Sequence, residues 1–268
     1  MVNSNKLNYS AISIGTLISL FEIHKRVIYN QESVLLNGAK LMNNYKTRLE
    51  TDRLILRPPK IDDFGAFHSW CSNPENTRYM SFGPNNEEQT KAWLAQSKPG
   101  LDFAVVIKDT NAVKSLLHYD ETPDLMPRTA REHGSLVIGS CGIYPDEKNY
   151  MGTLGWILHK DYWKHGYGTE LGGELIRYGF EDLKLGRIQA PCAAANYGSY
   201  RVMERNGMRR EALHRKAFWT RLDKEWVDEA WYAILAEDYF QKTLNPTVDC
   251  CFTEGNNYSH NTIPNISD

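Results

Sequence analysis

Apolar residues recur along the middle of the chain at two spacings, and the spacing predicts the elements. Leu54 and Leu56, two residues apart, suggest a short strand, which Pro58-Pro59 stops. Asp62 stands where it would cap a helix from Asp63 to about Cys71, and Asn73-Pro74 ends it. Asn86 to Gln96 predicts a second helix, and Asp102 to Ile107 a strand closed by the polar turn Lys108 to Asn111. Leu136 to Ile143 and Gly152 to Leu158 predict an antiparallel hairpin around the turn region Tyr144 to Tyr150. From Gly166 to Leu183 the residues Leu171, Leu175, Ile176, Phe180 and Leu183 recur at helical spacing, and Gly186 precedes a strand from Arg187 to Cys192. A short helix over Asn196 to Asn206 stops at Gly207, and two strands, Met208 to Trp219 and Lys224 to Leu235, meet at Leu222-Asp223.

Composition narrows the class. The chain has 268 residues, 41% of them hydrophobic, which suffices for a sizeable core. Lys and Arg number 31 against 33 Asp and Glu, so no basic field exists to hold a nucleic acid, and none is expected as a partner. Five cysteines without a C-x-x-C pair fit neither a disulfide framework nor a zinc site. A reducing, cytoplasmic location and no metal are the expectations. The apolar stretch Ala11 to Phe21 falls well short of the roughly 20 residues a bilayer span needs, so no membrane partner is expected. Residues 1–46 read as an extension, loosely packed or disordered, and 47–240 as one domain. Residues 112–134, with two prolines and mixed charge, read as an insertion within it, and 241–268 as a polar tail too poor in apolar residues to repay its ordering entropy.

The segment Trp163-Lys164-His165-Gly166-Tyr167-Gly168-Thr169-Glu170 lies between a strand and a helix, where backbone amides and the positive helix end can hold a phosphate. A Walker loop needs Gly-Lys-Ser/Thr, which is missing, and a dinucleotide fingerprint needs glycine at position 171, which is Leu171. The Gly166-x-Gly168 spacing instead resembles the pyrophosphate loop of the GNAT family of N-acetyltransferases, with Trp163 where that loop usually carries Gln or Arg. The string from Gly155-Trp156-Ile157-Leu158 to Glu170 is similar to the ribosomal-protein alanine acetyltransferase branch, RimJ/RimL-like, in which a Trp is common there. Leu49 to Pro58 resembles the opening strand of the family, Asn73 to Met80 its substrate-side helix region, and Asn196-x-x-Ser199 with Glu204 to Met208 its second cofactor motif. The resemblance covers about Thr47 to Phe240.

It implies an α/β (α+β) fold, a single domain with a mixed, mostly antiparallel central sheet flanked by helices and with splayed central strands at the cofactor site. It implies acetyl-CoA as co-substrate and direct transfer to a primary amine in a ternary complex, without a covalent enzyme intermediate. Backbone amides near Ile157 and Leu158 would hold pantetheine and the thioester oxygen. Lys164, His165, Gly166, Tyr167, Gly168 and Thr169 would take the pyrophosphate, with Asn196 and Ser199 also at the cofactor. Asn196, Ser199, Tyr200 and Met203 share one helix face; Ser199 is the first candidate to protonate the leaving thiolate, with Tyr200 its rival. Asp228 is the first candidate base, with Glu75 and Glu229 behind it. Glu75, Arg78, Tyr79 and Trp219 are the candidate acceptor residues. The acceptor is a small amine or a protein N-terminus, and the assembly a monomer or homodimer. The competing readings are an inactive acyl-CoA-binding or partner-binding module on the same fold, and a transferase for another acceptor such as a polyamine or antibiotic.

Overall fold

The computed structural model describes residues 45–108 and 136–244. The expected insertion and nearly all of both expected ends lie outside the described residues. Eight strands form one sheet: β1 Leu49–Glu50, β2 Leu54–Arg57, β3 Asp102–Ile107, β4 Leu136–Asp146, β5 Met151–Leu158, β6 Arg187–Ala193, β7 Arg209–Thr220 and β8 Glu225–Leu235. Their order is β1-β2-β3-β4-β5-β6-β8-β7, and every neighbouring pair is antiparallel except β5–β6. This is the mixed, mostly antiparallel architecture expected.

That parallel pair does not stay together. Met151, Gly152 and Thr153 pair with Arg187, Ile188 and Gln189, and no pairing continues beyond them. From there β5 remains on β4 as far as Leu158 opposite Gly139, whereas β6 remains on β8 as far as Ala193 opposite Glu229. Each strand keeps its outer partner, so the sheet opens between them.

The helices are α1 Phe64–Cys71, α2 Pro74–Thr77, α3 Glu87–Gln96, α4 Tyr167–Arg177, α5 Tyr197–Arg205 and α6 Ala236–Leu244. Alternation along the strands divides two cores. Phe103, Val105, Ile143, Leu154 and Ile188 face Leu171, Leu175 and Ile176 of α4 on one side. On the other, Ala104, Val106, Val137 and Ile157 face Phe67 and Trp70 of α1 and Leu94 of α3. Burying each such aliphatic side chain contributes about 1.5–3 kcal/mol, so the two layers lock the sheet between them.

Several boundaries differ from those expected. Asp62 does not cap α1: Ile61–Asp63 form a 3-10 turn, and the buried Asp63 carboxylate accepts from the Lys60 amide and from both terminal nitrogens of Arg57 at 2.7 and 2.8 Å. Strand β4 runs through Tyr144 and Pro145, which pair with Thr153 and Gly152, so the turn shrinks to 147–150. The helix after the glycine loop changes to a π-helical turn over Tyr178–Asp182, where the Tyr178 hydroxyl donates to the Gly100 carbonyl at 3.1 Å and accepts from the Lys46 amide at 2.9 Å. Helix α6 was not expected. It packs Tyr239 and Phe240 on Phe180, with ring centroids 5.2 and 6.5 Å away, and runs past the expected domain end at 240.

Candidate active site

At the mouth of the opening, β5 ends on a carbonyl that is held twice. Leu158 O accepts from the buried Asn76 Nδ2 at 2.6 Å and from the Trp163 indole N–H at 2.8 Å, while Asn76 Oδ1 accepts from the Lys160 amide at 3.3 Å. Trp163 therefore ties the glycine loop back onto β5. Beyond it Lys164 (φ 67°) and Gly166 (φ 81°) both take the left-handed conformation, which turns the chain into α4. The first backbone bond of that turn runs from Glu170 N–H to Gly166 O at 3.1 Å, so the amides preceding it belong to a helix N-terminus, where orphan donors and the positive dipole end favour an anion. Gly168 serves another purpose. A Cβ there would lie 3.0 Å from Val202 of α5, and one at Gly172 2.9 Å from the Asn206 amide, so these glycines let α5 pack against α4.

Glu170 and Arg53 brace the loop from the sheet side. The Glu170 carboxylate accepts from the Thr51 hydroxyl, from the Arg53 amide at 2.8 Å and from Arg53 Nε at 2.6 Å. Burial pushes this carboxyl up, but those hydrogen bonds outweigh it and hold its pKa below the usual range. Arg53 also donates from Nη1 to the His165 carbonyl at 3.0 Å and lies 4.6 Å over the Tyr167 ring. Sequence reasoning gave neither residue a role. The local signal was a Thr-x-Arg at a strand start, and only the fold shows what it reaches.

Helix α5 starts beside the end of β6. Asn196 caps it by accepting from the Ser199 amide at 3.2 Å, Tyr200 stacks on Tyr232 with centroids 6.4 Å apart, and Asn206 Nδ2 donates to the Thr169 carbonyl at 3.0 Å. Ser199 and Tyr200 are both half-buried. Asp228 accepts from the Lys216 amide at 2.9 Å, where β7 bulges between His214 and Phe218. Alternation along β8 sets Asp228 on the α4 side with Ala230 and Tyr232, which belong to that core. Glu229 falls on the other face, opposite Ala193, and accepts from the Trp231 indole at 2.8 Å.

The candidate acceptor residues are divided. Glu75 is exposed and pairs with Lys160 of the loop at 3.1 Å; Arg78 reaches the β7–β8 turn and pairs with Asp223 at 3.1 Å. Tyr79 is half-buried, and Trp219 lies on the projecting hairpin against Trp226, 5.3 Å between rings. Sequence reasoning missed the cavity on the α1–α3 face, about 290 Å³, bounded by Ile157, Trp156 and Gly155 of β5 on one side and Trp93 of α3 on the other.

A sheet opened at a parallel pair, with a glycine loop and a helix N-terminus at the opening, is the acyltransferase architecture that the resemblance implied. Comparison with known proteins agrees. The family model for the acetyltransferase (GNAT) domain matches residues 53–209, more than half of the chain, and the protein belongs to that family. It is an N-acetyltransferase. An uncharacterized N-acetyltransferase of Bacillus subtilis (strain 168), YnaD, is 28% identical over 193 residues, covering 71% of this chain and 98% of its own. The crystal structure of a GNAT-family acetyltransferase from Bacillus anthracis superposes with a TM-score of 0.58 at 28% identity, over 71% of this chain and 99% of that one. The microcin C7 self-immunity acetyltransferase MccE, solved in complex with acetyl-CoA and AMP, shares the fold at 18% identity, with a TM-score of 0.53 over 69% of this chain and 93% of its own. Among the described residues no helix is long and apolar enough to cross a membrane.

Proposed function

We propose that the protein transfers an acetyl group from acetyl-CoA directly to a primary amine, both bound at once. The observation that carries this reading is the opening between β5 and β6, with the loop 164–169 at its mouth. Acetyl-CoA supplies an activated acetyl thioester. The loop amides and α4 N-terminus suit its diphosphate, and the amide of Leu158, on the unpaired side of β5, suits pantetheine and the thioester oxygen, whereas that of Ile157 turns to β4 opposite Ser140.

The acceptor approaches from the α1–α3 face. Its nitrogen forms a bond to the acetyl carbon as the carbon–sulfur bond breaks; the ammonium proton leaves to a carboxylate or water, and the thiolate takes a proton. Ser199 at the start of α5 is the proton donor, with Tyr200 beside it. Glu229, on the acceptor face, suits the base better than Asp228, whose carboxylate already serves the β7 bulge. An α-amine, with a pKa of about 7.7–8.0, needs less help than a lysine near 10.4.

Thiol release from acetyl-CoA, followed in the presence of amines and peptides, tests this reading. Release that depends on one acceptor class supports it; acetyl-CoA binding without release to any amine contradicts it.

A further inference from the structure

The cavity on the α1–α3 face has a composition that selects its occupant. Phe67, Phe82 and Trp93 form one wall, with Phe82 and Trp93 rings 5.0 Å apart and Phe67 and Trp93 5.6 Å apart, and Ile157 and Tyr144 line the sheet side. Among its lining residues the one acidic or basic side chain is Asp102. Asp102 Oδ1 accepts from the Tyr144 hydroxyl at 2.9 Å and Oδ2 from the Lys98 amide at 2.7 Å. Both partners are neutral donors, and an ionised carboxylate offers about four acceptor positions, so the charge is left for a ligand. Burial first, then the charge of Asp102, pushes the Tyr144 phenol well up, which keeps it a neutral donor.

Gly142 makes this arrangement possible. Gly142 and Gly155 face each other across β4 and β5, and a Cβ at Gly142 would lie 2.7 Å from the Tyr144 hydroxyl. The Tyr144 ring thus lies over bare backbone and its hydroxyl reaches across to Asp102, which is itself in register with Gly142.

Register also gives the distance to the reacting end. Asp102, Gly142 and Gly155 stand side by side on three strands, and Ile157 is two residues further along β5. With strands about 4.8 Å apart and a rise of about 3.3 Å per residue, the Asp102 and Ile157 Cα atoms are roughly 12 Å apart. Asp102 is too far to take a proton from an amine attacking beside Ile157. It stands instead at the far end of the acceptor.

We propose that the acceptor is a small diamine, whose reacting amine lies at Ile157 while its second, cationic amine is held by Asp102 and the surrounding aromatic faces. This rests on the acetyl-transfer reading above. The carboxylate stands off the sheet rather than along it, so taking off a hydrogen bond of about 2.8 Å at Asp102 and a similar approach distance at the reacting end leaves the two nitrogens on the order of 6 Å apart, within reach of a five-carbon diamine. Aromatic faces attract an ammonium and also cover a methylene spacer.

The test is calorimetric titration of the protein with pentane-1,5-diamine and with pentylamine, in the absence of acetyl-CoA, so that binding is read whether or not turnover occurs. The diamine is expected to bind at least about tenfold more tightly, and Asp102→Asn to remove that preference while leaving acetyl-CoA affinity unchanged. Asp102→Glu keeps the charge on a longer arm, and should keep the preference while moving the optimum to a diamine shorter by about one methylene. Equal affinity for the diamine and the monoamine, or equal loss of both in Asp102→Asn, overturns the proposal. Failure to bind acetyl-CoA would overturn the acetyl-transfer reading on which it rests, whereas diamine preference without Asp102 dependence would overturn this proposal alone.

Discussion

Arg53 and Glu170, 117 residues apart in the chain, are joined by two hydrogen bonds, from the arginine amide at 2.8 Å and from its Nε at 2.6 Å. Glu170 lies in the first turn of α4, where its negative charge favours the helix but would oppose a bound diphosphate. Arg53 neutralises that charge and fixes the loop carbonyl of His165. Arg53→Gln should therefore raise the acetyl-CoA Kd about tenfold, equivalent to about 1.4 kcal/mol. Arg53→Lys should restore only part, because a lysine lacks the forked geometry. Since the arginine is about half exposed, its effect on the melting temperature should be small. Titration calorimetry with thermal unfolding separates the two effects, and an unchanged Kd in Arg53→Gln would remove the clamp from the account.

Gly168 is set by packing. A valine there adds atoms where a Cβ would already sit 3.0 Å from Val202, and overpacking of this kind costs about 1–3 kcal/mol. Gly168→Val should lower stability by that amount in denaturant unfolding and, by pushing α5 from α4, reduce turnover more than Gly173→Ala, whose Cβ would meet only the end of the Asn206 side chain.

Ser199 and Tyr200 are distinguished by removing one hydroxyl at a time. General acid catalysis contributes typically about 10²-fold or more, so Ser199→Ala should lower kcat by about that factor with acetyl-CoA affinity retained. The helix cap survives this change because Asn196 bonds the Ser199 amide and not its hydroxyl. The same loss in Tyr200→Phe, with Ser199→Ala active, would transfer the role to the phenol.

His159 makes stability depend on pH. Burial lowers its pKa below the usual value of about 6.5, against a smaller opposing effect of Asp161, and its Nδ1 accepts from the Asp161 amide at 3.3 Å. The folded protein keeps this ring neutral while the unfolded chain protonates it near pH 6.5. The stabilisation is therefore present above about 6.5 and declines as pH falls from there toward the folded pKa. Urea unfolding at a series of pH values should show that decline, and His159→Gln should flatten it; an identical slope in both proteins would contradict the assignment.

Much of this was legible in the sequence, because local signals carried it. Apolar runs bounded by turn residues predicted β3, β5 and β6, Asn86 marked the start of α3, and Gly166-x-Gly168 stood where the strand, loop and helix meet. What escaped needed distant partners. Trp163 in place of Gln or Arg finds its purpose only against the Leu158 carbonyl, and Arg53 only against Glu170. The acceptor cavity is built from β3, β4, β5 and α3 together, and Asp102 reads locally as no more than the polar first residue of a strand. Asp228 and Glu229 are adjacent acids in sequence, and the β8 register, which sends them to opposite faces of the sheet, distinguishes them.

The central claim is that the opening between β5 and β6 and the loop 164–169 hold acetyl-CoA. Titration calorimetry of the protein with acetyl-CoA tests it most directly. One molecule bound per chain with a submillimolar Kd, weakened about tenfold in Arg53→Gln, is the predicted result; no binding of acetyl-CoA by the folded protein would contradict it.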